Sequence, residues 1–223
     1  MNAKQLDNLR INLPKNPNIL KKRLYFNSAV IIPIIKDNGQ YCFLFELRAK
    51  GIHQEGEICF PGGRYESDID KSFLDCAIRE TVEELGISKD VIQVLGGMDT
   101  LITPYGVTVD SFPAFLNIDF KDIVNYDKKE VEEIFTIPIS FFINNKPATY
   151  SVRVEITPFI TDENGNNVTL VPVLELGLPP RYSKTWHSKK HPVLAYKTDK
   201  YIIWGITANL IHEAVYLMEL SGN

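Results

Sequence analysis

Three glutamates stand close together in the sequence at spacings that carry meaning on a helix. Glu80, Glu83 and Glu84 are three and four positions apart, so at about 100° per residue they fall on one side of an α-helix. Carboxylates at these separations repel one another, and Arg79 can neutralise only part of their charge. Carboxylate oxygens on a rigid element suit Mg²⁺ or Mn²⁺, which also bind phosphate oxygens. The pattern indicates a divalent metal site. The alternative is a charged helix face that is exposed to solvent.

A helix is predicted to present these glutamates. It covers Asp68 to Leu85, with Asp70 as an N-cap and Gly86 as the C-terminal glycine. Aliphatic and β-branched positions lie nearly opposite the glutamates on the helical wheel, and these are Leu74, Ile78, Thr81, Val82 and Leu85. We therefore expect one face to dock on a sheet and the other to face solvent or ligand.

Strand-forming runs surround this helix. Ala29 to Ile35 and Tyr41 to Leu47 flank Asn38-Gly39, a dipeptide that supplies the positive φ of a tight turn, and they predict a hairpin. A short run, Glu57 to Phe60, precedes Pro61-Gly62-Gly63, which would release the chain into a loop. Later elements are strands at Val91 to Leu95, Thr108 to Ile118 and Val152 to Phe159, a surface loop at Leu178 to Lys190, and a last helix at about Ile206 to Leu220. The order predicts an α+β or α/β fold with a mixed sheet.

Composition restricts the classes of partner. The 223 residues are 44% hydrophobic and 23% charged, which is typical of a globular domain. A net charge of -4 gives no general attraction to nucleic acid or to anionic membrane, and apolar runs such as Ala29 to Ile35 are far shorter than the ~20 residues that span a bilayer. Cys42, Cys59 and Cys76 are an odd number without zinc-type spacing. We expect a small-molecule partner, no nucleic acid, no membrane and a cytoplasmic location.

The segment Arg79-Glu80-Thr81-Val82-Glu83-Glu84-Leu85-Gly86-Ile87 resembles the second half of the Nudix box, Arg-Glu-U-x-Glu-Glu-x-Gly-U, where U is bulky and aliphatic. The first half departs from the box. Two extra residues separate Gly63 from Arg79, and Lys71 occupies the glutamate slot, with Asp70 beside it. The resemblance implies the Nudix fold, an α/β/α sandwich with a mixed β-sheet between helices. We predict an N-terminal arm at 1–24 and a single domain at 25–223.

Further segments are similar to the coenzyme A pyrophosphatase branch of this family. Gly56 to Gly63 matches its Gly-x-x-x-Phe-Pro-Gly-Gly run, and Asp70 lies nine residues before Arg79, where the branch has aspartate. Arg48 matches the approach to the box, but the second arginine of that approach is missing. The insertion around 157–190 is longer than the branch leads us to expect.

This resemblance implies metal-dependent hydrolysis of the diphosphate linkage of a nucleotide derivative, with coenzyme A or acyl-CoA yielding 3′,5′-ADP and (acyl-)4′-phosphopantetheine. Mg²⁺ or Mn²⁺ would be held by Glu80, Glu83 and Glu84, with Glu83, Arg79 and Glu130 in catalytic roles, Glu130 as the general base. Substrate would contact Arg48, Arg64, Gly62 and Gly63. A homodimer stays open. So do two other functions: hydrolysis of another derivative such as ADP-ribose or a dinucleoside polyphosphate, and ligand binding by a Nudix module without turnover.

Overall fold

The computed structural model describes residues 2–15 and 18–220. Its helices are α1 (Ala3–Asn12), α2 (Phe73–Leu85), α3 (Ile139–Asn144) and α4 (Gly205–Glu219). Its central sheet consists of β1 (Phe26–Asp37), β2 (Gln40–Arg48), β3 (Ile58–Cys59), β4 (Gly62–Arg64), β5 (Ile92–Val94), β6 (Leu101–Ile102), β7 (Val107–Leu116) and β8 (Val131–Pro138). Two smaller sheets are formed by β9 (Ala148–Ile156), β12 (His187–Lys197) and β13 (Ile202–Trp204), and by β10 (Phe159–Thr161) with β11 (Asn167–Thr169).

The predicted hairpin is confirmed and lies at the centre of the sheet. Strands β1 and β2 are antiparallel, and the pair Asp37 and Gln40 closes a two-residue turn. Asn38 and Gly39 have φ values of 46° and 79°, as such a turn requires. Strand β1 is also parallel to β7, whereas β2 is antiparallel to β8. The sheet is therefore mixed, as predicted.

Alternation along β1 distributes its apolar side chains to two faces of the sheet. Ala29 and Ile31 pack with Cys76 and Ala77 of α2. Ile32 and Ile34 belong to the opposite core, which contains residues of α3 and α4 and the aromatic side chains Phe43, Phe45, Phe60, Phe135 and Phe142. The sheet thus lies between α2 on one side and α3 with α4 on the other, so the predicted α/β/α sandwich is confirmed.

The helix that carries the glutamates is shorter than predicted. It begins at Phe73, because Ser72 is its N-cap and its Oγ accepts a hydrogen bond from the Asp75 amide at 3.1 Å. The prediction that the helix starts at Asp68 with Asp70 as N-cap is therefore wrong. The prediction for the other end is confirmed, since Gly86 has a φ of 64° and caps the helix in the left-handed conformation.

Two boundaries in the second half of the chain also differ from the prediction. The strand expected at 152–159 runs from Ala148 to Ile156 as β9. The surface loop expected at 178–190 ends earlier, because β12 begins at His187 and pairs with β9. Strand β9 buries little side-chain surface, so the hydrophobic pattern that marks a core strand is weak there. Among the helices that the structure describes, none has the length and apolar character needed to cross a bilayer.

The proposed division of the chain stays a prediction. Helix α1 lies in the 1–24 arm and buries none of its residues. The hairpin β10–β11 and a 3₁₀ turn at Pro180–Ser183 lie in the 157–190 insertion. Met1, Asn16 and Pro17 of the arm and residues 221–223 of the domain lie outside the described residues.

Candidate active site

The two glycines before the helix allow close packing, because Gly63 lets α2 approach β4 and Gly62 lets β4 approach β1. A Cβ on Gly63 would lie 2.4 Å from Cδ of Glu80, and a Cβ on Gly62 would lie 2.3 Å from the carbonyl oxygen of Ala29. The Gly62 amide donates a hydrogen bond to Oε2 of Glu84 at 2.8 Å. Glycine is therefore required at position 62, and a side chain at position 63 would have to displace the Glu80 carboxyl group. The run of glycines directly contacts two of the three predicted metal ligands.

Helix α2 buries one of its glutamates. Glu83 is exposed, whereas Glu84 retains only 4% of its accessible surface. Glu84 therefore does not face solvent, because α2 rests on β4 along that edge of the helix. Burial raises the pKa of Glu84 to about 8 and also raises the pKa of Glu80.

Arg79 links the helix to the loop before it. Its Nε donates to Oδ1 of Asp70 at 2.9 Å and its Nη2 to Oδ2 at 3.0 Å. Its Nη1 donates to Oε1 of Glu80 at 2.7 Å and to Oε2 of Glu83 at 3.3 Å. Hydrogen bonds from Arg79 lower the pKa of Asp70, which is buried, and Asp70 in turn raises the pKa of Arg79. Asp70, rather than the exposed Lys71, is thus the acidic residue that anchors Arg79.

Glu46 is a fourth carboxylate beside the helix, and it was not among the predicted site residues. Glu46 lies in β2 and is 1% exposed. Burial and the neighbouring Glu84 carboxylate raise its pKa well above the ordinary value. The signal was present, because Glu46 interrupts the apolar run Cys42 to Leu47, and a strand with such a run is buried on both faces.

Two charged residues lie at the margin of this cluster. Glu130 is exposed, and its charge contributes to the raised pKa values of Glu46, Glu80 and Glu84. The charge of Arg48 acts in the opposite direction on Glu46 and Glu84. The structure therefore brings the predicted general base and one predicted substrate contact into electrostatic range of the helix.

The remaining predicted positions lie farther out or have other roles. Arg64 is exposed at the end of β4, with its guanidinium carbon 5.4 Å from the centre of the Phe26 ring. Cys76 is completely buried, which agrees with a packing role.

The carboxylates fit a hard divalent cation by their chemistry. Within residues 2–15 and 18–220, no three His, Cys, Asp or Glu side chains already converge on one cation position. Glu80 and Glu83 are directed towards Arg79, and Glu84 accepts a hydrogen bond from Gly62. Yet the carboxylates of the cluster outnumber its cationic side chains, and Oε1 of the buried Glu46 has no hydrogen-bond partner. Oxygen donors with uncompensated negative charge are what Mg²⁺ or Mn²⁺ requires.

Comparison with known proteins places these features in a family. The NUDIX domain model matches residues 25–150. A peroxisomal coenzyme A diphosphatase of Mus musculus is 28% identical over 117 residues, which cover 52% of this chain and 48% of that protein. Nudix hydrolase 3 of Caenorhabditis elegans is 27% identical over 207 residues, covering 86% of this chain and 74% of the relative. Thus the chain spans about half the length of the first relative and three quarters of the second.

A solved structure of similar fold is the Ap4A hydrolase of C. elegans. It has a TM-score of 0.41 and 20% sequence identity, and the match covers 54% of this chain and 85% of that one.

Proposed function

This chain belongs to the Nudix family of hydrolases, and on that premise we propose that it hydrolyses the diphosphate linkage of coenzyme A or acyl-CoA. Nudix hydrolases act on nucleotide diphosphate derivatives and generally use divalent metal ions. The observation that carries the proposal is the carboxylate cluster of α2 packed directly against the Gly62-Gly63 run. That run is part of the segment that resembles the coenzyme A pyrophosphatase branch.

The proposed metal ligands are Glu80, Glu83 and Glu84, and Mg²⁺ or Mn²⁺ is the proposed ion. When bound, such an ion supplies neutralisation of the diphosphate charge and activation of the attacking water. The protein must hold three mutually repelling carboxylates in place for this purpose. Arg79 holds two of them by donating to Glu80 and Glu83, and the Gly62 amide holds Glu84. The two hydrogen bonds from Arg79 to Asp70 fix the guanidinium.

Glu130 is the proposed general base. It is exposed at the rim of the carboxylate cluster, so its carboxylate is accessible to the attacking water and can accept a proton from it. Its charge acts on Glu46, Glu80 and Glu84, which supports a position close to the reacting centre. The water is thereby made a better nucleophile while Glu130 holds the proton on a carboxylate oxygen.

Substrate would contact the two arginines and the two glycines that border the helix. Coenzyme A carries a 3′-phosphate in addition to its diphosphate, and guanidinium groups are suited to bind both. Arg64 is exposed next to Gly63 at the end of β4, and Arg48 lies at the end of β2. We propose that Arg48 and Arg64 bind the phosphates. We further propose that the diphosphate closely approaches the backbone of Gly62 and Gly63.

Two features favour a second candidate, hydrolysis of another derivative such as ADP-ribose. The second arginine expected before the box is missing, and the insertion around 157–190 contains its own hairpin, β10–β11. Both features lie outside α2, so they affect the choice of substrate rather than the diphosphate chemistry.

A substrate panel with product identification tests this proposal. Purified protein is incubated with coenzyme A, acetyl-CoA, ADP-ribose and Ap4A, each with Mg²⁺, with Mn²⁺ or with EDTA, and products are identified by mass spectrometry. We expect metal-dependent release of 4′-phosphopantetheine and 3′,5′-ADP from coenzyme A. Turnover of ADP-ribose or Ap4A alone would overturn the substrate assignment, and no turnover of any compound would favour a ligand-binding module.

A further inference from the structure

A buried carboxylate beside the proposed metal ligands has an oxygen atom without a hydrogen-bond partner. Among the side chains that the structure describes, two buried polar atoms lack a partner, and one is Oε1 of Glu46. Burying a polar oxygen without a hydrogen-bond partner destabilises the folded protein. An uncompensated oxygen of this kind points to a ligand that the polypeptide itself does not supply.

The position of Glu46 in β2 directs its side chain towards helix α2. Side chains alternate along a strand, and Cys42 and Leu44 pack in the same core cluster as Leu85 of α2. Phe43 and Phe45 pack in the opposite core with α3 and α4. Glu46 therefore shares the α2 face with Cys42 and Leu44, and it is buried on the same side of the sheet as Glu84.

The nearby cations are engaged elsewhere. Arg79 donates its hydrogen bonds to Asp70, Glu80 and Glu83. Arg48 lies within electrostatic range of Glu46, but its Nε donates to the carbonyl oxygen of His53 at 3.0 Å. Within the part of the chain that the structure describes, neither the Glu46 nor the Glu84 carboxyl group accepts a hydrogen bond from a guanidinium.

We propose that Glu46 is a further ligand of the divalent cation, contributed by β2 opposite Glu84 of α2. This inference rests on the proposed function, because it assumes that the glutamates of α2 bind the cation. Ligands from a strand and from a helix would make the cation a link between the sheet and α2. Cation binding should therefore also stabilise the packing of the helix on the sheet.

Mn²⁺ binding in the absence of substrate tests this inference. Free Mn²⁺ is measured by electron paramagnetic resonance for the wild-type protein, for Glu46→Gln and for Glu46→Leu, with circular dichroism to verify folding. Glu132→Gln is the matched control, since Glu132 is an exposed glutamate on the neighbouring strand β8. The melting temperature of each protein is measured with and without Mn²⁺.

We expect the Kd for Mn²⁺ to rise at least ~10-fold in both Glu46 variants, and the thermal stabilisation by Mn²⁺ to shrink, with Glu132→Gln unchanged. The use of two variants keeps the test decisive if one of them does not fold. An unchanged Kd in a folded Glu46 variant, with tight binding by the wild type, would overturn this inference alone. Failure of the wild type to bind Mn²⁺ would overturn the proposed metal site as well.

Discussion

Asp70→Asn removes the charge that anchors Arg79 while preserving the shape of the side chain. The Asp70 carboxylate accepts hydrogen bonds from Nε and Nη2 of Arg79 at 2.9 and 3.0 Å and from the Glu66 amide at 2.9 Å. An asparagine has one oxygen and one NH₂ group. Its NH₂ group would have to face a donor, so at least one of these hydrogen bonds is lost and the ion pair is broken.

The expected magnitude follows from the burial of the pair. Removing one partner of a fully buried ion pair is destabilising by about 3–5 kcal/mol. The Asp70 side chain is 1% exposed, but that of Arg79 is 26% exposed, so water can solvate part of the guanidinium. We therefore expect a loss of about 2–3 kcal/mol, within the range for charged hydrogen bonds. For a chain of this length, that corresponds to a fall in Tm of roughly 5–10 °C.

Thermal and urea denaturation measured by circular dichroism test this expectation, with Lys71→Ala as the control. Lys71 is the exposed neighbour that occupies the glutamate slot of the box, and its replacement should change stability by less than about 0.5 kcal/mol. A loss of less than about 1 kcal/mol in Asp70→Asn would refute the anchoring role of Asp70. So would an equal loss in both variants.

The pH dependence provides an independent readout of the same ion pair. Arg79 lowers the pKa of Asp70 below its ordinary value of 3.8, so the stabilisation is fully present above that value and is lost as the pH falls through the lowered pKa. The difference in stability between wild type and Asp70→Asn should therefore be constant near neutral pH and narrow in acid. A difference that widens as the pH falls would contradict this assignment.

Three further predictions concern the packing and titration of the site. Gly63→Ala should lower the hydrolysis rate by ~10- to 100-fold, because the new Cβ would lie 2.4 Å from Cδ of Glu80. Gly96→Ala is the control and should leave the rate unchanged, because a Cβ at position 96 would meet no atom within 4 Å. Equal rates in the two variants would contradict the close packing at Gly63. Burial raises the pKa of Cys76 to about 12 and raises the pKa values of Cys42 and Cys59. The thiols of the native protein should therefore react with a disulfide reagent at least ~10-fold more slowly than those of the unfolded protein, and rapid labelling of the native protein would contradict this prediction. Burial raises the pKa of Glu84 to about 8, so Mn²⁺ binding at neutral pH should release protons and should strengthen as the pH rises towards that value. Calorimetry in buffers of different ionisation enthalpy tests this prediction, and a binding enthalpy that does not depend on the buffer would argue against displacement of a proton from Glu84.

Local rules were sufficient to predict three features of the site. The turn at Asn38-Gly39, the left-handed cap at Gly86 and the spacing of Glu80, Glu83 and Glu84 follow from short-range geometry. The start of α2 was predicted less well, because Asp70 and Ser72 are both suitable N-caps by residue type. The choice between them depends on Arg79, nine residues from Asp70, which takes the aspartate as its partner.

Tertiary packing decides the features that local rules did not predict. Glu84 resembles its exposed neighbour Glu83 on a helical wheel, and it is buried because β4 contacts that edge of α2. Glu46 could not be assigned to the site from the sequence, because its position depends on which face of β2 the helix covers. Glu130 was selected as a carboxylate after the box, and the structure brings it into electrostatic range of Glu80 and Glu84.

The central claim is that the glutamates of α2 hold a divalent cation for hydrolysis of a diphosphate. The measurement that tests it most directly is the initial rate of coenzyme A cleavage by wild type, Glu83→Gln and Glu132→Gln, each with Mg²⁺ and with EDTA. We predict cleavage only with the metal, at least a ~100-fold lower rate in Glu83→Gln with its fold intact, and a wild-type rate in Glu132→Gln. Near-normal turnover by Glu83→Gln, or full activity in EDTA, would contradict the claim.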